Sequence, residues 1–272
     1  LRCLVGSEMC IRDRMSGLTY SMNKNKIESL ADNVINSITG ELFSIPSLDM
    51  GGYADLRFIL REGGSMGDLY SRTDLRRDAN GAIYMDESNN VYTQKIDNPD
   101  SYIKLGSVLP KGNLAWRNNF MWKNFHVGFM ISARLGGVVF SRTQAVLDKF
   151  GVSEASADAR DNGFVLINGN DRINPENWYT TVGSTAVPQY YTYSATNVRL
   201  QEASIGYTIP RKWLANICDI KVSLIGRNLW MIYNKAPFDP EAVASTDNFY
   251  QGIDNFMICL LYTSDAAAKR IV

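Results

Sequence analysis

The sequence predicts an all-β fold built from long antiparallel strands. From Phe125 to Leu135, apolar side chains alternate without interruption with small or polar ones, which is the pattern of a strand with one apolar face. A strand that crosses a bilayer needs about 9–11 residues, and this one is long enough. The connections between such strands are alternately long and short. Pattern alone fits both an outer-membrane β-barrel and a large soluble β-domain.

The other long strands follow from the same alternation. Leu114, Trp116, Phe120 and Trp122 share one parity just before the turn at Lys123-Asn124, which predicts a hairpin. Within the strand 197–209 the apolar parity changes, so we expect either a β-bulge near Glu202 or a strand that extends beyond the membrane. Further strands are predicted over Met15–Ile27, Asn197–Ile209 and Ile220–Tyr233, with another beginning at Phe249–Met257.

The positions of the basic residues indicate which face of these strands meets lipid and which meets the barrel interior. A basic side chain facing lipid at mid-bilayer costs about 2–4 kcal/mol, so the face opposite the basic residues is the one expected to meet lipid. The lumen-facing candidates are Arg117, Arg134, Lys221 and Arg227. The lipid-facing candidates are Phe125, Val127, Phe129, Ile131, Ala203, Ile205, Tyr207, Val222 and Leu224.

The long connections are predicted to be outer loops. Residues 28–40 suit a short helix or an irregular loop, and turn signals continue to Lys111. Asn80-Gly81 predicts a small hairpin with a type I′ turn, and its acidic neighbours resemble a calcium loop only weakly. The connection from Ser141 to Thr196 carries aromatic residues beside Asn and Asp, which suits sugar rings or a protein partner, whereas a self-packed loop is the alternative. The candidate contact residues are Trp178, Tyr179, Tyr190, Tyr191 and Tyr193.

Composition and motifs exclude several classes of function. The 272 residues include 28 basic and 28 acidic side chains, so there is no basic surplus for a nucleic-acid partner. A single His and four Cys without zinc spacing predict no metal site, and no cofactor motif or catalytic motif is present. His126 is interpreted as a polar residue of a barrel interior rather than a general base. Asp239 and Glu241 are interpreted as structural, and no enzyme is predicted.

Both ends of the chain differ in character from the rest. Residues 1–14 (LRCLVGSEMCIRDR) and 259–272 (LLYTSDAAAKRIV after Cys259) resemble translated sequencing-adapter sequence. We expect both to be non-native and exclude them from fold reasoning. The protein segment proper is then residues 15–258.

Several segments, in order, resemble the C-terminal part of SusC/RagA-type TonB-dependent outer-membrane transporters. They are YSMNKNKIESL, REGGSMGDLYS, LGSVLPKGNLAWRNNFMWKNF, NVRLQEASIGYTIPRKWL, KVSLIGRNLWMIYNKAPFDPE and YQGIDNFM. The resemblance covers nearly all of residues 15–258. It implies a plugged barrel of about 22 strands, of which this chain supplies an incomplete C-terminal wall with long outer loops.

The resemblance also implies function, partners and location. Such transporters import glycans or peptides across the outer membrane of Gram-negative bacteria, with a SusD-like surface lipoprotein as a lid. Energy comes from the TonB complex, which would bind an N-terminal part outside this sequence. Outer-membrane lipid is then a further partner of the strands. The alternative function is a secreted carbohydrate-binding β-domain that uses Trp178, Tyr190 and Tyr191.

Overall fold

The computed structural model describes residues 12–183, 187–210, 213, 218, 220–241 and 250–256. Its strands, in chain order, are β1 (Arg12–Ser21), β2 (Ala31–Ile35), β3 (Leu42–Ile45), β4 (Ser47–Tyr53), β5 (Leu56–Arg61), β6 (Asp68–Ser71), β7 (Thr73–Leu75), β8 (Thr93–Lys95), β9 (Ile103–Ser107), β10 (Gly112–Trp122), β11 (Phe125–Leu135), β12 (Val138–Ser141), β13 (Val165–Ile167), β14 (Asp171–Ile173), β15 (Thr192–Ser194), β16 (Asn197–Ile209), β17 (Ile220–Asn234) and β18 (Ile253–Asp254). The helices are α1 (Arg142–Lys149), α2 (Glu154–Asn162) and α3 (Pro175–Val182), and short 3₁₀ turns cover Pro99–Ser101 and Pro188–Tyr191.

The long strands form one five-stranded sheet in the order β1-β10-β11-β16-β17. Every neighbouring pair in it is antiparallel, and the strands β10, β11, β16 and β17 are 11, 11, 13 and 15 residues long. The predicted antiparallel meander is therefore confirmed, and the predicted bounds of β11 and β16 are those observed. The first predicted strand is displaced, since β1 ends at Ser21 rather than at residue 27.

A tight turn joins β10 to β11, as predicted. Lys123 takes a positive φ of 52°, which lets the chain reverse within two residues. Asn124 fixes the turn to the end of β16, because its backbone carbonyl accepts from the Thr208 amide at 2.8 Å. This turn marks one end of the sheet, which we call the short-turn end. The opposite end is where the long connections leave the strands.

The predicted bulge in β16 lies at Gln201. Leu200 pairs with Ile131 and Glu202 pairs with Met130, so Gln201 is the extra residue between them. The bulge explains the parity change in the sequence. It returns Val198 and Leu200 to the same face as the apolar residues that follow.

The two long connections and residues 250–256 pack into one body, which we call the cap. It contains a four-stranded sheet of order β4-β5-β6-β9, a three-stranded sheet of order β15-β12-β18, and the three helices. All these strand pairs are antiparallel except β12 with β18, which is parallel. One hydrophobic core joins the segments, namely Leu56, Phe58, Leu69, Leu75, Val91, Val108, Phe140, Ala145, Ile167, Ile173, Trp178, Val182, Val187, Tyr191 and Ile253.

The chain passes from the sheet into the cap at Gly136–Gly137. Both glycines have positive φ, 76° and 86°, a conformation that a residue with a Cβ adopts at a cost. Two contacts tie the end of β11 to the cap: the Lys111 amide donates to the Leu135 carbonyl, and Arg134 Nη2 donates to the Val108 carbonyl at 2.8 Å. The cap is thus fixed to one end of the sheet, opposite the short-turn end.

Hydrogen bonds from backbone amides to N-terminal side chains explain where the three helices begin. Ser141 accepts from the Gln144 amide before α1, Ser153 accepts from the Ser156 amide before α2, and Asn174 accepts from the Glu176 amide before α3, which has Pro at its first position. None of the described helices has the length and apolar character to cross a bilayer.

Several predictions for the connections were wrong. Residues 28–40 form no helix; they include β2, which pairs with β3 in a hairpin. The segment predicted as a strand from 249 to 257 contributes only β18 among its described residues, and β18 pairs with β12 in the cap. Ile253 is buried in the cap core, and this burial outweighs continued pairing with the long strands. The predicted turn at 210–219 lies mostly outside the described residues.

The turn at Asn80-Gly81 exists, but it is not type I′. Only Gly81 of the pair has a positive φ, whereas type I′ requires both. Asp78 organises the turn instead, since its Oδ1 accepts from the amides of Asn80 and Ala82 at 2.8 and 2.9 Å. Asp86 does the same for Ser88 and Asn90, so both carboxylates serve the backbone.

Candidate functional site

Strand register gathers the predicted lipid-facing residues on one face of the five-stranded sheet, which we call the apolar face. Cross-strand pairs place Phe125 with Tyr207 and Val222, Val127 with Ile205 and Leu224, and Phe129 with Ala203. Ile131 joins them through Leu200 at the bulge. Large apolar side chains on this face are exposed, among them Leu18, Tyr20, Trp122, Phe125, Ile205, Val222, Leu224 and Trp230. An apolar surface of this extent needs a non-aqueous neighbour.

Aromatic side chains from neighbouring strands contact one another on the apolar face. Phe125 lies 4.8 Å from Tyr207 between ring centroids, and Phe129 contacts Trp116 at 5.6 Å and Phe120 at 6.2 Å. Phe120, Trp122, Phe125 and Tyr207 lie toward the short-turn end. Such bands are where amphipathic rings meet a membrane–water boundary.

Two basic residues also lie on the apolar face. In the described strands, Arg12 and Arg14 are the charged residues that register places there. Arg14 Nη2 donates to Asn118 Oδ1 at 3.2 Å, and the guanidinium lies 5.2 Å from the Phe120 ring centroid. Both arginines belong to residues 1–14, for which the sequence analysis predicts a non-native origin.

The basic residues predicted to face the lumen share the opposite face, which we call the polar face. One row of the register crosses four strands. Its members are, in order, Arg117, Met130, Glu202 and Arg227. Glu202 lies between two guanidinium groups, 3.7 Å from Arg117 Nη2 and 3.5 Å from Arg227 Nε. Arg134 and Lys221 also lie on the polar face, at opposite ends of the strands.

His126 also lies on the polar face, where the sequence placed it. Its Nε2 is 3.0 Å from Thr208 Oγ1, near the short-turn end. The described residues around it include no group of three or more His, Cys, Asp or Glu side chains placed to hold a metal ion. The contact with a strand hydroxyl gives His126 a structural hydrogen bond.

A buried ion pair locks the loop after β17 onto the polar face. The guanidinium of Arg199 is bidentate on Asp239, with Nη2–Oδ1 at 2.8 Å and Nη1–Oδ2 at 3.2 Å. Arg199 Nη2 also lies 3.3 Å from Glu241 Oε2, and Asn197 Nδ2 donates to Glu241 Oε1 at 3.3 Å. The side chains of Arg199 and Asp239 are only 4% and 8% exposed. We call this group the loop lock.

The sequence analysis predicted only part of the loop lock. Asp239 and Glu241 were interpreted as structural, but Arg199 was not predicted as their partner. Its parity places it on the polar face of β16, and that is the signal that could have found it. The pairing itself joins residues 40 positions apart, which local patterns do not encode.

A cavity of about 250 Å³ lies on the polar face beside the loop lock. Its lining is mostly polar, from Thr19, Ser21, Asn113, Ser132, Arg134, Gln201 and Glu241. Arg134 and Glu241 bring charges of both signs to it. This part of the polar face can therefore contact polar solutes.

The predicted contact aromatics divide by burial. Trp178 and Tyr191 are 9% and 3% exposed and belong to the cap core, so their rings present no free face to a ligand. Burial raises the pKa of the Tyr191 hydroxyl, and nearby Asp148 raises this pKa further. Tyr179 and Tyr193 are half-buried, Tyr179 against the core and Tyr193 against Phe238. Tyr190 is 37% exposed, with its ring edge-on to Trp178 at 5.4 Å.

Burial therefore corrects part of the predicted contact set. Trp178 and Tyr191 are predicted from the sequence to contact a sugar or a partner. Their side chains instead lie in the core of the cap and stabilise it. The alternative of a self-packed loop describes these two residues. Tyr190 is the member of the set with substantial exposed area.

Comparison with known proteins adds a sequence relative and two solved folds. No family model matches the chain. The TonB-dependent receptor P3 of Formosa agariphila is 25% identical over 260 residues, covering 86% of this chain and 24% of that protein. The RagAB peptide importer in its open-open state matches with a TM-score of 0.58, at 15% identity, over 90% of this chain and 26% of that one. Its closed-closed state gives 0.50, at 17% identity, over 91% and 26%.

These matches agree with the sequence interpretation. The chain spans about a quarter of the length of the proteins it matches. The predicted resemblance to a barrel segment of SusC/RagA-type TonB-dependent transporters is confirmed, as is the incomplete barrel fold. TonB-dependent receptors are outer-membrane proteins and not enzymes, in keeping with the predicted location and class.

Proposed function

We propose that this chain, a barrel segment of the SusC/RagA type of TonB-dependent transporter, forms part of the wall and outer loops of an energy-coupled outer-membrane importer. The observation that carries the proposal is the five-stranded sheet, whose strands are long enough to cross a bilayer and whose one face is apolar and exposed. The sheet is the wall. The cap is the outer loop region, because barrels of this kind have short periplasmic turns and long outer loops.

The polar face lines the interior of the barrel in this proposal. Arg117 and Arg227 lie near the middle of their strands and would otherwise lie in hydrocarbon at a cost of about 2–4 kcal/mol each, whereas Arg134 and Lys221 at the strand ends would cost less. The apolar face then meets outer-membrane lipid. The cavity beside the loop lock opens toward the interior at the outer end.

The partners proposed are a SusD-like surface lipoprotein at the outer end and the TonB complex, reached through a part of the protein outside this segment. The names of the relatives support this, since one is a TonB-dependent receptor and another is the two-component RagAB importer. The substrate proposed is a glycan or a peptide. RagAB is a peptide importer, and Tyr190 is the most exposed member of the predicted contact set that could touch substrate or lid.

We also propose that residues 1–14 and 259–272 are not native to this protein. The structure describes only residues 12–14 of these. Arg12 and Arg14 are the charges on the apolar face of the described strands, where every neighbouring position carries an apolar, small or uncharged residue. A native strand in this position is expected to carry apolar side chains instead.

A matched pair of substitutions in β17 tests the wall assignment. Leu224 and Ile225 are adjacent aliphatic residues that are 74% and 55% exposed, and they lie on the apolar and polar faces respectively. In the full-length transporter, Leu224→Arg is expected to lower outer-membrane assembly, because it puts a guanidinium in lipid at a cost that ranges from about 0–1 kcal/mol near the interface to about 2–4 kcal/mol at mid-bilayer. Ile225→Arg is expected to assemble at close to the unmodified level.

Assembly is measured by heat-modifiable migration and protease resistance of the protein in outer-membrane fractions. Equal loss with both substitutions, or loss with Ile225→Arg alone, would show that the apolar face does not meet lipid. A secreted domain would tolerate both substitutions, since both side chains would face water.

A further inference from the structure

One row of the polar face brings together three charged side chains from three strands. Arg117 of β10, Glu202 of β16 and Arg227 of β17 are in register, and Met130 of β11 lies between the first two. The single carboxylate is within 4 Å of both guanidinium groups. We call these three residues the arginine row.

The arginine row has an unbalanced charge. Two guanidinium groups share one carboxylate, which leaves a net charge of +1. The arginine side chains are 58% and 77% exposed, whereas that of Glu202 is 25% exposed. Each guanidinium has five N–H donors in a planar fork, and the nearest approaches to the Glu202 carboxylate are 3.7 Å from Arg117 and 3.5 Å from Arg227.

The wider polar face does not supply the missing negative charge. Its described strands add Arg134, Arg199 and Lys221, and the other strand carboxylate is Asp13, in the stretch we propose to be foreign. Asp239 and Glu241 are engaged by Arg199 in the loop lock. An excess of positive charge that faces a confined interior favours a neighbour that carries negative charge.

We propose that the arginine row binds a carboxylate that comes from outside this segment. Guanidinium forks match carboxylates in geometry and hold them by charge-assisted hydrogen bonds. Glu202 holds the two arginines close together and also competes with the incoming group. The proposal rests on the proposed barrel, in which the polar face lines the interior. The carboxylate belongs either to an acidic side chain of the polypeptide that fills the barrel or to an acidic substrate.

The two sources are separated in the full-length transporter, purified folded from outer membranes in detergent at low salt. The variants are Glu202→Gln, the double variant Arg117→Gln/Arg227→Gln, and Lys221→Gln as a control that removes a distant positive charge from the same face. Two readouts are taken: the thermal midpoint of unfolding, and binding of a tetra-aspartate peptide against a tetra-asparagine peptide by calorimetry.

A substrate source predicts binding of the acidic peptide and none of its amide analogue. The double variant then loses affinity by about tenfold or more, the size of one lost charge-assisted contact, while Lys221→Gln changes it much less. Glu202→Gln strengthens binding, because it removes the competing carboxylate. A purely structural Glu202 would not produce tighter binding when neutralised.

An internal source predicts that the acidic peptide does not bind the unmodified protein. The double variant then unfolds at a lower temperature than Lys221→Gln, and Glu202→Gln unfolds at a higher one. The proposal is overturned if the double variant matches Lys221→Gln in both readouts. It is also overturned if the peptide binds and Glu202→Gln weakens that binding, or if the peptide does not bind and Glu202→Gln lowers the midpoint. Because these readouts use protein already folded in membranes, the Leu224 and Ile225 pair tests the barrel separately.

Discussion

Replacement of Arg199 by Met is expected to destabilise the folded protein by about 3–5 kcal/mol, the usual cost of removing one partner from a buried ion pair. The side chain of Arg199 is 4% exposed and bidentate on Asp239, which is 8% exposed. Without the guanidinium, the Asp239 carboxylate stays buried with its main counter-charge gone. The Glu241 amide still donates to Asp239 Oδ1, but the loss of the bidentate guanidinium favours release of the loop after β17 from the polar face.

The release of this loop gives the prediction a local readout. Lys235 is exposed at the start of the loop and is a site for trypsin. In the full-length protein in detergent, Arg199→Met is expected to speed cleavage after Lys235 and to lower the midpoint of denaturant unfolding. Lys221→Gln removes a positive charge for which the described residues show no ion pair; it serves as the control and is expected to leave cleavage unchanged.

A second variant tests whether the loss of stability comes from the Arg199–Asp239 ion pair or from packing around residue 199. In Arg199→Met/Asp239→Leu both members of the bidentate pair are replaced by apolar groups, so the buried carboxylate that loses Arg199 is removed with it, and most of the lost stability is expected to return. Glu241 remains beside the site in both variants. If the double variant is as unstable as Arg199→Met, the loss comes from packing around residue 199, and the ion pair does not hold the loop.

The long strands could be predicted because a sheet with one apolar and one polar face imposes a simple pattern on them. Each side chain of β11 suits one of these two faces, so the alternation is complete and the bounds Phe125–Leu135 follow from it. The same rule found the bulge, because an extra residue shifts the parity of Val198 and Leu200 against the rest of β16. The short turn at Lys123-Asn124 followed from the change of parity between its two strands.

The cap could not be predicted in the same way. Its strands β6, β7, β12, β13 and β14 are only three or four residues long, too short to show a period. Its core joins Leu56 and Phe58 to Trp178 and Ile253, and nothing local in the chain records that these residues meet. Turn signals were therefore interpreted as loops. The aromatic residues Trp178 and Tyr191 were assigned to a surface for the same reason.

The candidate site shows the same division. Parity alone put Arg117, Arg134, Lys221 and Arg227 on one face, and register confirms that they share it. Register also adds what parity could not supply, namely that Glu202 lies beside two of them. The bulge at Gln201 decides this neighbour, because without the extra residue Glu202 would face the other way.

A single core in the cap predicts that distant segments respond together to one substitution. Phe140 of β12 is fully buried among residues from both long connections and from β18. Phe140→Ala is expected to cost about 3–5 kcal/mol, through lost burial and the cavity left behind. Amide hydrogen exchange in the full-length protein should then speed up in β5 and β6 as well as in β12 and α3, while the long strands β10 and β11 keep their protection.

Phe150 provides the matched control for this substitution. It follows α1 in the same cap, but its side chain is 71% exposed, so Phe150→Ala is expected to change stability by no more than about 0.5 kcal/mol. Faster exchange confined to β12 after Phe140→Ala would mean that the two long connections are separate loops that only touch. Faster exchange in β10 and β11 as well would mean that the cap and the sheet unfold as one unit.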